Sequence, residues 1–185
     1  MTDHSALITL LAERSARRGH FKLASGKESD FYIDARLTTM SPEGLALIGP
    51  LALSTLRNVG WKVDAIGGLT LGADPISYAI SYASATSDHP LRAFTVRKEP
   101  KGHGTGKLLE GPVMEGDNVA IIEDVITTGG SALRAIDAVR SANASVTGVL
   151  ALVDREEGGR QAIEGAGVSV VSLVTASQIL AALTR

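Results

Sequence analysis

Residues 121–132, IIEDVITTGGSA, place two acidic residues, Glu123 and Asp124, directly after an apolar run and follow them with threonine, glycine and serine. Adjacent like charges repel, and paired glycines are poor helix formers. Backbone N–H groups at a glycine-containing turn, with a helix N-terminus behind them, form a site for an anion. The turn at residues 127–131 is therefore predicted to bind a phosphate, which would offset the cost of the paired glycines.

The two acids need a different ligand, because carboxylates repel a phosphate. Two neighbouring carboxylates suit the vicinal hydroxyls of a sugar, with a magnesium ion nearby to reduce the repulsion. The combined ligand would then be a phosphorylated ribose. An acidic strand end followed by an ordinary helix cap is the alternative, but the complete string is far more specific than a Gly-Gly helix start.

A second segment, residues 97–107 (RKEPKGHGTGK), carries five basic side chains among three glycines. Lysine acts as a point charge toward phosphate, and arginine as a fork. The segment is not a P-loop, because its glycines are one residue too close and a leucine follows the last lysine. It is either a solvated surface loop or a lid that closes over an anion. Its position after a predicted strand favours the lid.

These segments require a scaffold that brings strand ends together. From about Val63 onward, apolar strands alternate with helices of about a dozen residues, which predicts a doubly wound α/β fold with a mainly parallel sheet. Sites in such sheets lie at the carboxyl ends of the strands. The candidate ends are Gly67-Gly68, where a tight turn is expected, Arg97-Lys98 and Glu123-Asp124.

The N-terminal part departs from this alternation. Residues 3–18 are predicted to form an amphipathic helix, and residues 20–37 two short strands around a turn. A helix beginning at Pro42 is expected to bend or break at Pro50. The first forty or so residues are predicted to form a small cap on a single domain spanning 1–185.

Composition excludes several classes of protein. The formal net charge is -2, without the basic excess of a nucleic-acid surface, and the absence of cysteine rules out disulfides and thiolate chemistry. No apolar run approaches the roughly 18 residues that span a bilayer, and no signal peptide is recognisable. No group of His, Asp and Glu has the spacing of metal ligands. A soluble cytoplasmic protein without a structural metal is expected.

Residues 121–131 resemble the phosphoribosyl-pyrophosphate signature of the type I phosphoribosyltransferases. Residues 21–36 (FKLASGKESDFYIDAR) and 96–111 (VRKEPKGHGTGKLLEG) resemble two further blocks of the orotate phosphoribosyltransferase branch. Residues 67–75 (GGLTLGADP) and 153–159 (VDREEGG) match that branch in place and order. The resemblance covers most of the chain.

This resemblance implies transfer of a phosphoribosyl group from phosphoribosyl pyrophosphate to orotate, giving orotidine 5'-monophosphate and pyrophosphate in pyrimidine biosynthesis. It implies Mg²⁺ held mainly through substrate and water rather than by protein ligands. It also implies a homodimer in which the basic lid reaches the neighbouring subunit's site, with no nucleic-acid or membrane partner.

The resemblance also implies roles for particular residues. Lys101, Asp124 and Glu123 would be catalytic. Phosphoribosyl pyrophosphate would be bound by Arg97, Lys98, Lys101, His103, Glu123, Asp124, Val125, Ile126, Thr127, Thr128, Gly129, Gly130 and Ser131. Orotate would be bound by Thr127, Arg155 and Tyr32.

The residues alone leave simpler explanations open for three side chains. Arg155 could be a surface arginine paired with Glu156 or Glu157, and Tyr32 could serve strand packing. Asp74 is expected to begin a helix rather than to act in catalysis.

The chain departs from the orotate pattern at three places. Many relatives carry lysine where this chain has Ala24, and some carry Tyr-Lys where it has Thr70-Leu71. One contact to pyrophosphate is therefore expected to be absent. The acidic pair is Glu-Asp where others have Asp-Asp.

Two other functions stay open at this point. A purine phosphoribosyltransferase would keep the fold, but the N-terminal block and Arg155 argue against it. A non-catalytic regulator that binds phosphoribosyl pyrophosphate would be expected to show a basic face or a DNA-binding domain. This chain has neither, and its basic loop is complete.

Overall fold

The computed structural model describes residues 3–22, 28–99 and 108–183. Within these ranges the elements in chain order are α1 (Asp3–Arg14), β1 (Ala16–Lys22), β2 (Glu28–Ile33), α2 (Arg36–Thr39), α3 (Pro42–Asn58), β3 (Ala65–Leu69), α4 (Ala73–Ser84), β4 (Arg92–Val96), β5 (Leu109–Glu110), β6 (Asn118–Ile126), α5 (Gly130–Ser141), β7 (Ser145–Asp154), α6 (Gly159–Gly165), β8 (Val170–Thr175) and α7 (Ala176–Ala182). No helix in the described ranges has the length and apolar character needed to cross a membrane.

Six strands form the main sheet in the order β5-β4-β3-β6-β7-β8. The pairs β3–β4, β3–β6, β6–β7 and β7–β8 are parallel. Only the short edge strand β5, inside a segment expected to be loop, pairs antiparallel, with β4. The prediction of a mainly parallel, doubly wound α/β sheet is confirmed.

Two apolar layers cover the two faces of the sheet. Side chains of α1, α3, α4 and α7 pack on one face, and those of α5 and α6 on the other. Successive strand residues point to opposite layers, so Ile121 lies in one and Ile122 in the other. Burial on both faces explains why the central strands are continuously apolar rather than alternating.

The N-terminal segment is more integrated than a simple cap. Helix α1 ends at Arg14 rather than at residue 18, because the chain from Ala16 pairs antiparallel with β2 instead. Leu7 and Leu11 of α1 belong to the same buried layer as the sheet. The hairpin of β1 and β2 is the part that departs from the α/β alternation, as predicted.

Helix α3 runs without interruption through Pro50, so the expectation of a break there was wrong. The Ser41 hydroxyl caps the helix by accepting from the N–H of Gly44 at 3.1 Å. Buried side chains on both sides of the proline, including Ile48 and Ala52, keep the helix on the core. Tertiary packing of this face outweighs the roughly 3 kcal/mol that an interior proline costs.

Gly67 and Gly68 lie inside β3 and do not form the tight turn that was expected. A Cβ on Gly67 would overlap the main chain of Phe94, and one on Gly68 the main chain of Ile122. These glycines therefore allow close packing around a central strand. The turn follows after Leu69 and leads into α4.

Candidate active site

A cleft of about 450 Å³ opens at the carboxyl edge of the sheet. It is bordered by the residues that follow β3, β4, β6 and β7 and by the end of the hairpin strand β2. Among its lining residues are the predicted site residues Tyr32, Lys98, Glu123, Asp124, Val125, Thr127, Thr128, Ser131 and Arg155. Side chains spread over more than 120 positions of sequence thus meet in one cavity.

The turn between β6 and α5 forms a smaller concave site of about 100 Å³, lined by Glu123 and residues 125–131. Gly129 caps the helix with φ of 83°, a left-handed conformation that favours glycine. Gly159 supports the turn from behind, where an added Cβ would lie 2.5 Å from the carbonyl oxygen of Thr127. The open helix N-terminus and the small side chains fit a phosphate group.

Ile126 contributes to this turn in a different way from its neighbours. Its side chain is buried in the apolar layer beneath α5. Its carbonyl oxygen accepts from the N–H of Arg155 at 2.9 Å, which ties the ends of β6 and β7 together. Any contact of Ile126 with a ligand must therefore come from its main chain.

Glu123 and Asp124 differ sharply in environment although they are adjacent. Glu123 is buried, and its Oε2 has no hydrogen-bond partner among the described residues. Burial raises the pKa of Glu123 well above its ordinary value, and the charge of Asp124 and a hydrogen bond with it raise that pKa further. Asp124 lies nearer the surface, with Oδ1 accepting from the N–H of Val125 at 2.9 Å. The environment of Glu123 therefore favours its neutral form.

The segment after β3 is fastened to its neighbours by a buried carboxylate. Thr70 Oγ1 donates to Asp74 Oδ2 at 2.6 Å, and Thr95 Oγ1 donates to Asp74 Oδ1 at 2.8 Å. Asp74 lies in the first turn of α4, in agreement with its expected place at a helix start. It positions Leu71 and Gly72 at the cleft without lining the cleft itself.

Arg155 lies at the end of β7 and is buried. Its Nη2 donates to Glu157 Oε1 at 2.6 Å and to the carbonyl oxygen of Phe31 at 3.3 Å. The guanidinium also lies 5.5 Å from the centre of the Phe31 ring. The predicted alternative, an ion pair with Glu157, is therefore observed. Arg155 also lines the cleft, and its contact with Phe31 connects the end of β7 to the hairpin.

The loop that carries Arg155 is held by two contacts that the sequence did not reveal. Asp154 Oδ2 accepts from Arg160 Nε at 2.9 Å. Glu156, with φ of 60°, turns its carboxylate to the start of α7, where it accepts from the Ser177 N–H at 2.9 Å. Arg160 follows Asp154 by six residues, whereas Ser177 follows Glu156 by 21.

Tyr32 is 39% exposed, lines the cleft and also packs on the Phe21 ring, with centroids 5.4 Å apart. Strand packing and a place in the cleft are therefore both observed. Arg36, which follows the same strand, lines the cleft as well and was not singled out from the sequence. The sequence feature that could have identified Arg36 is its position as the last residue of the segment 21–36, which resembles the orotate branch.

The basic segment contributes unequally to the described cleft. Lys98 lines it, and its carbonyl oxygen accepts from Arg134 Nη2 at 2.6 Å. Arg97 does not line the cleft; its Nη1 lies 3.5 Å from Glu110 Oε1. Lys101 and His103 lie outside the described residues.

Comparison with known proteins decides the family. The chain is 46% identical over 183 residues to the orotate phosphoribosyltransferase of Aquifex aeolicus, covering 97% of this chain and 99% of the relative. It is 44% identical over 177 residues to that of Rhodopirellula baltica, covering 94% and 92%. The chain belongs to the orotate phosphoribosyltransferase family. No protein-family model matches the chain.

Solved structures agree with this membership. The orotate phosphoribosyltransferase of Mycobacterium tuberculosis, in complex with 5-phospho-alpha-D-ribosyl 1-diphosphate, is 36% identical with a TM-score of 0.81, covering 96% of this chain and 99% of that one. The same enzyme with Fe(III) dicitrate is 38% identical with a TM-score of 0.85, covering 96% and 99%. Adenine phosphoribosyltransferase from Saccharomyces cerevisiae, 20% identical with a TM-score of 0.69 over 91% of this chain and 99% of that one, shares the fold alone. The predicted orotate phosphoribosyltransferase assignment, a pentosyltransferase of pyrimidine biosynthesis, is confirmed at the level of the family.

Proposed function

We propose that the cleft binds phosphoribosyl pyrophosphate and orotate and transfers the phosphoribosyl group to N1 of orotate. Pyrophosphate leaves the anomeric carbon, and orotidine 5'-monophosphate forms. The observation that carries the proposal is the meeting, in one cleft, of the phosphate-sized turn at 127–131, the acidic pair and Arg155. Each suits a different part of these two substrates.

The 5'-phosphate would lie in the turn between β6 and α5, on the N–H groups of residues 127–131. Asp124 would accept from a ribose hydroxyl at the adjacent cleft wall. Glu123, whose pKa is raised by burial, would present an O–H donor and an acceptor to the same part of the sugar when protonated. As positive charge grows on the ribose ring in the transition state, Asp124 stabilises it electrostatically.

Orotate is planar and carries a carboxylate. Arg155 would bind that carboxylate, because a guanidinium offers parallel N–H donors to two oxygens. Thr127 would hydrogen-bond the ring, and Tyr32 would pack on its face. Since Arg155 also contacts Phe31, the hairpin and the orotate subsite are mechanically joined.

The leaving pyrophosphate needs cations around it. Lys98, Lys101, His103 and Arg97 would supply them, with Lys101 as the leading catalytic lysine. Among the described residues no group of three or more His, Asp or Glu could hold a metal, so Mg²⁺ would be held through substrate oxygens and water. When bound, Mg²⁺ neutralises charge that develops on the leaving group. Loss of one well-placed donor is expected to lower turnover about 10²–10³-fold.

A homodimer would complete the site. Arg97 turns toward Glu110 rather than into the cleft of its own chain, which supports a lid that serves the neighbouring subunit. An apolar groove of about 600 Å³ between α3 and α4 supports an interface between copies. Tyr78 and Tyr82, 54% and 86% exposed, stand at this groove. Both substrates are small water-soluble anions, so we place the enzyme in the cytoplasm.

The test is to mix purified protein with Mg²⁺, orotate and phosphoribosyl pyrophosphate and to follow the loss of orotate absorbance. Orotate should disappear and orotidine 5'-monophosphate should accumulate. Adenine and guanine in place of orotate test the purine alternative. Folded protein that binds the donor but consumes no base would instead indicate the regulator.

Lys101→Ala tests the lid in the same assay, with Lys62→Ala as a matched control on an exposed lysine remote from the cleft. Turnover should fall about 10²–10³-fold in the first variant and stay unchanged in the second. Equal turnover in both would refute the role of the lid.

A further inference from the structure

Arg36 is a cation of the cleft whose side chain is already oriented. Nε donates to Asp34 Oδ1 at 2.8 Å, and Nη2 donates to Asp34 Oδ2 at 2.9 Å. The Arg36 N–H also donates to Asp34 Oδ1 at 3.2 Å. The Arg36 guanidinium lowers the pKa of the Asp34 carboxyl, which therefore stays ionised at neutral pH and keeps the pair in place.

The guanidinium of Arg36 retains the capacity to bind an anion. Of the five N–H donors of an arginine side chain, Asp34 takes two, and the other three have no protein partner among the described residues. The side chain is 50% exposed at the cleft. A planar fork of N–H donors fits two phosphate oxygens.

Arg36 and Leu71 both line the cleft, as does Asp124. The charge of Asp124 acts on Arg36, and the Gly72 main chain beside Leu71 approaches Asp124 so closely that an added Cβ would overlap its carboxyl group. Leu71 is 53% exposed and brings no charge to the cleft.

We propose that Arg36 binds the pyrophosphate group of the donor and supplies the positive charge that Leu71 lacks. The proposal rests on the proposed function, because it assigns one contact within the same cleft. The first residue of α2 would thus add a pyrophosphate cation to those of the basic segment, where the segment after β3 offers none. The carboxylate of orotate would be bound by Arg155 rather than by Arg36.

Steady-state kinetics of Arg36→Ala test this assignment. The KM for phosphoribosyl pyrophosphate should rise about 10- to 100-fold, and the KM for orotate should change less than about two-fold, since a lost hydrogen bond between charged groups has that scale. The backbone N–H still holds the turn in this variant, and thermal unfolding checks that it folds. Arg18→Ala, an exposed arginine of β1 outside the cleft, is the matched control and should leave both constants unchanged.

Two further variants separate direct binding from side effects. Asp34→Asn combined with Arg36→Ala also removes the Asp34 carboxylate, which has lost its arginine partner in the single variant. A KM for phosphoribosyl pyrophosphate that stays high in the double variant supports direct binding by Arg36. Recovery of that KM to the wild-type value overturns the proposal. Leu71→Lys combined with Arg36→Ala should restore at least part of the affinity. A wild-type KM for the donor in Arg36→Ala, or a rise in the KM for orotate instead, refutes the proposal. An inactive wild-type protein refutes the proposed function itself, so the two failures are distinguishable.

Discussion

Gly72 and Asp124 are in such close contact that no side chain fits between them. A Cβ on Gly72 would lie under 3.0 Å from all three atoms of the Asp124 carboxyl group. Gly72 has φ of -65° and ψ of -41°, so its backbone conformation does not require glycine. Glycine is required at this position because the Asp124 side chain, from the neighbouring strand β6, occupies the space that a Cβ would need.

Gly72→Ala should therefore impair catalysis more than folding. The added methyl group displaces the Asp124 carboxylate from the position in which we expect it to accept from the ribose. We expect kcat/KM to fall at least about 10-fold, because misplacement by about 1 Å costs up to 10²-fold, with a free energy of unfolding within about 1 kcal/mol of wild type. Gly165→Ala, where an added Cβ meets nothing within 4 Å, is the control. Full activity in Gly72→Ala would show that Asp124 need not occupy this position.

Glu123→Gln should change how stability depends on pH. Below its ordinary pKa of 4.5, Glu123 is protonated in both folded and unfolded chains. As pH rises above 4.5 the unfolded chain loses the proton while burial keeps it on the folded chain, so wild-type stability falls until pH reaches the raised folded pKa. Glutamine cannot ionise, so the stability of Glu123→Gln should not show this decrease as pH rises.

Urea unfolding of the ligand-free protein at pH 5 and pH 8 measures the effect. The free energy of unfolding of Glu123→Gln minus that of wild type should be larger at pH 8 than at pH 5. Asp137→Asn, on an exposed helical carboxylate, is the control and should follow the wild-type curve. Parallel curves for wild type and Glu123→Gln would mean that Glu123 is ionised in the folded protein.

Arg155→Lys should separate the orotate subsite from the donor subsite. Lysine keeps the charge but loses the fork of parallel donors. The KM for orotate should rise about 10- to 100-fold while the KM for phosphoribosyl pyrophosphate stays near the wild-type value. Some loss of thermal stability should accompany the change, because the Phe31 carbonyl loses its contact with the guanidinium.

Glu157→Gln is the matched variant for Arg155→Lys. It leaves the arginine in place and removes only the charge of its partner. Its effect on the KM for orotate should be much smaller. If both substitutions raise that KM equally, Arg155 acts through its ion pair and not through a contact with orotate.

Tyr82→Glu should break the proposed homodimer. The side chain is 86% exposed beside the apolar groove between α3 and α4, and a carboxylate there would be buried unpaired in an interface. Sedimentation velocity should show a dimer for wild type and a monomer for the variant, with activity lost because the lid no longer reaches a second site. Met114→Glu, on an exposed residue outside that groove, should remain dimeric. A monomeric, fully active wild-type protein would contradict the shared lid.

The strand and helix pattern was predictable because it depends on local spacing. The apolar strands through Glu123 and Asp154 and the helix start at Pro42 appear where the sequence placed them, and the predicted pair of N-terminal strands appears at Ala16–Lys22 and Glu28–Ile33 rather than at 20–37. Failures came where distant contacts outweighed local preference. Packing carried α3 through Pro50, and pairing with β2 ended α1 at Arg14.

By itself, the sequence determined the fold class, the glycine-containing turn at residues 127–131 and the residue types of the candidate site, because these depend on residue types at short spacing. Only the tertiary structure decided which side chains share the cleft and in which state. The burial that raises the pKa of Glu123, the contact of Arg155 with Phe31 and the place of Arg36 in the same cleft as Asp124 each depend on residues far apart in the chain. Burial, charge separation and close packing are properties of distances between atoms, and only folding sets those distances.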